Sequence, residues 1–259
     1  MRTTQGFKHQ LQQKNLLLGT FIKTPSTILT EVISSTTLDV ICFDSEHAPF
    51  GRYALDQCLM TALLSNLPCL VRVQKNQPEY IQSALDCGAT GVIVPHIETP
   101  QAAERAVSAC YYTTGTRGYA GSTRNARYGC NTLNENIHIN QQTTTVIAQI
   151  EDAEALDHLD AIMCVEGIDC FFIGIMDLTL SLGAAVPTET MVVDAIQTII
   201  QAAMQHGRAV GMFLADPGAV AFWYDQGVRF FLIASEHKLL RNGIHQMLQT
   251  AQNIVQQEA

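Results

Sequence analysis

Residues 68–95 read PCLVRVQKNQPEYIQSALDCGATGVIVP. An apolar run at 68–73 is followed by a helical pattern over 78–86, then by Gly88 and a second apolar run at 91–95. Neither run alternates apolar with polar residues, as expected for parallel strands covered on both faces. Gly88, just past the helical pattern, suits the left-handed turn that ends a helix. The stretch is a strand–helix–strand unit.

The same unit recurs outward in both directions, at a spacing of roughly 25–35 residues. Further strand-like runs lie at 16–22, 40–44, 145–150, 170–174, 209–214 and 229–234, and amphipathic stretches at 52–65, 101–110, 190–206 and 217–226. Gly207 and Gly227 repeat the helix-ending glycine. About eight such units without a break in composition predict one closed (β/α)₈ barrel spanning 1–259, with an open doubly wound sheet as the competing arrangement. The segment 113–142 is the outlier, a long polar connection after the fourth unit with Gly115, Gly118, Gly121 and Gly129. Long connections inside compact domains are often functional loops, and this one is expected to lie within reach of the active-site face.

The chain has 259 residues, is 47% hydrophobic and carries a net charge of -9. That excess of acid argues against nucleic acid and anionic membranes as partners, and leaves any anionic ligand to a local arginine or a metal. No signal-like or membrane-spanning stretch is expected. Eight scattered cysteines without a CxxC pair, several within strand runs, predict a reduced, cytoplasmic setting in which Cys is a small apolar filler.

In a barrel the strand ends converge on one face, so the polar residues there become neighbours. Asp44, Glu46 and His47 follow the second run, Arg72 sits inside the third, His96 follows the fourth, Gln149 and Glu151 end the fifth, and Asp177 follows the sixth. A guanidinium between two valines is costly unless it is paired, so Arg72 either bridges to a neighbouring carboxylate or faces a ligand anion. Crowded carboxylates repel one another, and Mg²⁺ or Mn²⁺ would relieve them. Taken singly, Asp177 reads equally as a cap on the next helix, and Glu151 equally as a solvated carboxylate. His47 beside Asp44 is a general-base candidate, set against an ordinary surface histidine. His96 reads as pocket lining or as structural. A Schiff-base lysine is the poorer reading, because Lys23 and Lys238 follow strands rather than lie within them. The 215–218 and 235–238 turns lack the glycine-rich pattern of a phosphate site, and nothing calls for a nucleotide or flavin.

In order, Asp-x-Glu-His-Ala-Pro (44–49), Val-Arg-Val (71–73), Gly-Val-Ile-Val-Pro (91–95), Gly-x-Arg-Gly (115–118), Gln-Ile-Glu (149–151), Val-Glu-Gly-Ile-Asp (165–169) and Phe-Ile-Gly-x-x-Asp-Leu (172–178) resemble the pyruvate-dependent class II aldolases. These include the 4-hydroxy-2-oxoheptanedioate and 2-dehydro-3-deoxyglucarate aldolases. The resemblance runs from Leu18 to Leu240. It implies a barrel in a dimer or hexamer whose last helix is exchanged between subunits, and a divalent metal on Glu151 and Asp177. It further implies Arg72 on the enolate oxygen, the N–H groups of Met176 and Asp177 on the substrate carboxylate, Gln149 in support, and His47, oriented by Asp44, moving the hydroxyl proton.

The chain departs from the usual pattern at Ile175-Met176, at Thr113-Thr114 and at 234–237. Gly-Tyr-Ala-Gly-Ser-Thr-Arg (118–124) is similar to a subgroup that condenses oxaloacetate with acetyl-CoA to give citrate for carboxylate siderophores, with or without a metal. There CoA is a co-substrate, and Arg117, Arg124 and Arg127 would suit extra carboxylates, unless they serve a solvated or subunit-contact loop. Two activities are therefore expected in competition, aldol cleavage of a 4-hydroxy-2-oxo acid and citrate formation. A catalytically silent barrel is the third reading, opposed by the buried charge.

Overall fold

The computed structural model describes residues 6–257. Its eight strands are β1 (Leu17–Ile22), β2 (Val40–Asp44), β3 (Cys69–Arg72), β4 (Gly91–Val94), β5 (Thr145–Ile150), β6 (Cys170–Ile173), β7 (Ala209–Leu214) and β8 (Phe230–Ser235). Each pairs in parallel with the next in chain order, and β8 closes on β1. The open-sheet alternative is thereby excluded.

Alternation along the strands divides the apolar residues between two cores. Leu17, Phe21, Val40, Cys42, Leu70, Ile93, Ile147, Cys170, Phe172, Phe230 and Leu232 fill the barrel, while Ile41, Phe43, Val71 and Ile173 pack outward under the helices. The helix Phe7–Gln12 plugs the N-terminal end, placing Phe7 edge-on to Phe230 at 6.1 Å. Lys8 and Gln12 anchor that plug on buried Asp169, at 3.3 and 3.0 Å. The eight cysteines are free, six of them buried, and burial pushes the Cys69 and Cys110 thiols up to about 11 and about 12. The six buried ones are inert filler rather than nucleophiles.

The same alternation positions the site. Continuing inward by twos, Phe21 leads to Lys23, Cys42 to Asp44, Leu70 to Arg72, and Ile147 to Gln149 and Glu151. The last inward layer, at the C-terminal face, is therefore polar where the layers beneath are apolar.

The segment 113–142 departs from expectation in two ways. It contains the helix Leu133–Thr143, opened by a capping box between Thr132 and Glu135. Its start lies at the N-terminal end of the barrel, where Arg117 bonds Asp86 at 2.7 Å and Arg124 bonds Asp56 at 2.8 Å, packed on Gly88. The physical reason is connectivity: a chain leaving a helix to enter the next strand must pass the end where strands begin. The last helix, Glu236–Gln257, meets the ends of β8 and β1 and leaves a row of apolar side chains exposed, including Leu240, Met247 and Leu248. Among the described residues no helix is long and apolar enough to cross a membrane.

Candidate active site

Asp44 and Arg72 form the centre. Adjacent in register on β2 and β3, they make a two-point pair, with Arg72 Nε and Nη2 donating to Asp44 Oδ1 and Oδ2 at 3.1 and 2.8 Å. Asp44 has no exposed surface and Arg72 has 8%. Lys23 Nζ approaches the same carboxylate at 3.2 Å. Burial alone would raise the Asp44 carboxyl, but the Arg72 bonds and charge outweigh it and hold it below the ordinary value. Arg72 also stands 3.3 Å from Glu46 and lies over the Phe21 ring, 4.7 Å from its centroid. Thus Arg72 both bridges to a carboxylate and faces the cup. The two readings of it are compatible.

A second group lies on β4 and β5. Glu151 is 1% exposed, accepts from the His96 backbone N–H at 2.9 Å, and is bonded by the Gln149 side-chain amide. Burial first, and then the neighbouring Glu46 and Asp177 charges, push its carboxyl up to about 7 against the opposing His96 contact. His96 adopts a left-handed φ of 56°, which costs a non-glycine residue energy and aims its N–H at Glu151. Its ring stands 3.0 Å from Asp152 and 3.5 Å from Glu151. Gly174 lies at van der Waals range of the same carboxylate, since a Cβ there would stand 2.6 Å from Glu151 Oε2.

Asp177 is not a helix cap. The helix Ile175–Ser181 has Gly174 as its N-cap, and Asp177 falls in its first turn. The early N–H groups of such a turn have no partner within the helix. Met176 and Asp177 line a pocket of about 310 Å³, together with Lys23, His47, Arg72 and Gln149 over a wall of Phe21, Phe172 and Phe213. Residues from separate strands thus meet in one cup at the C-terminal face.

Three expectations change. Asp44 meets His47 through the backbone N–H, at 3.2 Å, rather than through the ring. The imidazole instead has Glu46 at 3.7 Å, because Asp44 is already occupied by Arg72 and Lys23. Arg124 is not brought to the cup, being held at the opposite end of the barrel by Asp56. Lys23, set aside in the sequence because it lies past the strand, reaches the pocket, and its ammonium is ion-paired rather than desolvated in an apolar niche. On the rim, His96, Glu98 and Asp152 gather potential ligand atoms within 4.8 Å of one another. No motif marked that trio, since Glu98 carries no strand-end signal.

A sequence model of the HpcH/HpaI aldolase/citrate lyase family matches residues 17–243. The chain is 30% identical over 246 residues to a 5-keto-4-deoxy-D-glucarate aldolase of Shigella boydii, covering 94% of this chain and 95% of that one. It is 32% identical over 238 residues to a hydroxypyruvate/pyruvate aldolase of Rhizorhabdus wittichii, covering 90% and 93%. Among solved structures, the citrate synthase SbnG superposes with a TM-score of 0.85 at 26% identity, covering 96% of this chain and 98% of that one.

Proposed function

Because the chain belongs to the HpcH/HpaI aldolase/citrate lyase family and is a carbon–carbon lyase, we propose that it cleaves and forms the C3–C4 bond of 4-hydroxy-2-oxo acids through a pyruvate enolate. The observation that carries this reading is the meeting of Arg72, His47, Gln149 and Asp177 on one pocket, with Glu151 beside it.

A divalent cation, Mg²⁺ or Mn²⁺, fits the residues present. Gln149 Oε1 is buried without a hydrogen-bond partner, and Glu151 is buried with Asp177 adding repulsion. An all-oxygen donor set of Glu151, Asp177 and the Gln149 carbonyl suits a hard cation, which would relieve both costs. When bound, the cation supplies Lewis-acid polarisation of the 2-oxo group. We place it on Glu151 and Asp177, whose charges repel one another and of which Asp177 lines the pocket, rather than on the rim trio of His96, Glu98 and Asp152, none of which does.

The protein's own groups do the rest. The N–H groups of Met176 and Asp177 receive the substrate carboxylate. His47 takes the proton of the C4 hydroxyl on a ring nitrogen, its ring held near Glu46, and the C3–C4 electron pair passes into the enolate. Arg72, fixed in advance by Asp44, meets the charge that develops on the enolate oxygen. Phe21, Phe172 and Phe213 exclude water from that oxygen. The test is pyruvate release from a 4-hydroxy-2-oxo acid with and without EDTA. Loss in chelator and recovery with Mg²⁺ are expected. Full activity in chelator would remove the metal from the scheme.

A second reading is supported by the likeness to the citrate synthase SbnG: condensation of acetyl-CoA with oxaloacetate to citrate, in service of carboxylate-siderophore synthesis, with or without a metal. The same cup would then hold the 2-oxo acid as electrophile. Release of free CoA thiol from that substrate pair decides between the two.

We further propose a cytoplasmic homo-oligomer, a dimer or hexamer, in which the helix Glu236–Gln257 covers a neighbouring subunit. The support is its exposed apolar row. Nucleic acid and membranes are not among the partners proposed.

A further inference from the structure

Lys23 enters the cup just past β1, on the other side of the ring from Gln149 on β5 and beside Arg72, with which it shares Asp44 Oδ2. In the closed ring β1 faces β5, so a 2-oxo acid whose carboxylate is held at Met176 and Asp177, as proposed above, would extend across the pocket toward Arg72 and Lys23. Beside Lys23, that side of the pocket carries Phe21, Phe213 and the neutral Ser235. Of the described residues lining the pocket, Lys23 and Arg72 are the fixed cations.

Neutralising Asp44 does not require this ammonium. Asp44 already receives two bonds from Arg72 and one from the His47 N–H. Among the described residues Asp44 is the polar partner of Lys23 Nζ, at 3.2 Å, which leaves donors of the ammonium free and the side chain 31% exposed toward the cup. The backbone that carries Lys23 is also fixed from behind. Glu236, 6% exposed, accepts from the Lys23 N–H at 2.9 and 3.0 Å and from the Thr24 N–H at 2.6 Å. That clasp fixes where the side chain leaves the backbone, and a cation anchored in this way binds an anion with less ordering cost.

We infer that Lys23 is a specificity-determining residue that receives a carboxylate at the far end of the substrate, and that Glu236 is its positioning residue. This rests on the 2-oxo acid reading above. It makes 2-oxo acids, or condensation products, with a second carboxylate the preferred ligands over uncharged chains of equal length.

The test is isothermal titration, with Mg²⁺ present, of 2-oxoglutarate against 2-oxopentanoate, which match in length but end in a carboxylate and a methyl group. The wild type should bind 2-oxoglutarate more tightly by about tenfold, the scale of a hydrogen bond to a charged group. Lys23→Met and Lys23→Gln should abolish that preference, Lys23→Arg should keep it, and Glu236→Gln should lower it while the ammonium remains. An equal affinity of the wild type for both acids, or a preference unchanged in both Met and Gln variants, overturns the inference while leaving the 2-oxo acid site standing. Failure of the wild type to bind either acid overturns both.

Discussion

Removing Arg72 separates the two things it does. Asp44, with no exposed surface in the wild type, is left in Arg72→Ala with Lys23, 3.2 Å away, and the His47 N–H, also at 3.2 Å, as its remaining partners. Breaking a buried pair from one side costs about 3–5 kcal/mol, and Lys23 should hold the loss near the lower figure. Against a total stability of about 5–15 kcal/mol that is a large fraction. Adding Asp44→Asn removes the stranded charge and should recover much of the stability. Catalysis should not recover, because the enolate oxygen still lacks its donor, a loss on the order of 10²–10³ in kcat. Urea unfolding and pyruvate release, measured on wild type, single and double variants, read the two effects separately. The pH dependence gives a further check. The Asp44 carboxyl is depressed in the folded chain, so its stabilisation is fully present above its unfolded value near about pH 4 and is lost as pH falls through the folded value. That part of the acid sensitivity should vanish in the double variant. A double variant that regains activity, or an Arg72→Ala protein as stable as wild type, would refute the reasoning.

Two further outcomes are expected. Gly174→Ala places a methyl group 2.6 Å from Glu151 Oε2 and 2.9 Å from Gln149 Nε2, so Glu151 must move; Mn²⁺ affinity, read by its paramagnetic resonance, should fall by about tenfold or more, the loss typical of disturbing a ligand's supporting shell. Aspartate at both Ile244 and Leu248, exposed on the last helix, should shift the assembly toward monomers in light scattering, and an unchanged mass would argue against the exchanged helix.

Much of this site was legible before any coordinates. Strand spacing by twos is enough to turn Asp44, Arg72, Gln149 and Glu151 inward once a parallel barrel is accepted, and the apolar runs justify that barrel. Lys23 obeys the same count from Phe21, but it lies just beyond the strand, where residue type alone does not show that the inward alternation continues. The 113–142 segment was misplaced for the opposite reason: its length suggested a loop over the site, while its position between a helix and the following strand already assigned it to the other end. The Asp44–His47 relation could not be read from a three-residue spacing, which is satisfied equally by a backbone and by a ring contact. The left-handed turn at His96, which aims an N–H at Glu151, leaves no mark in residue type. Such turns are set by tertiary surroundings, which no local pattern records.

The most direct measurement is exchange of the pyruvate methyl protons in D₂O, followed by proton NMR with Mg²⁺ present. If Arg72, Glu151 and Asp177 act together on one bound keto acid, the methyl signal should decay with wild-type protein and persist with Arg72→Met or Glu151→Gln. No decay with the wild type, or equal decay with all three proteins, would contradict the account.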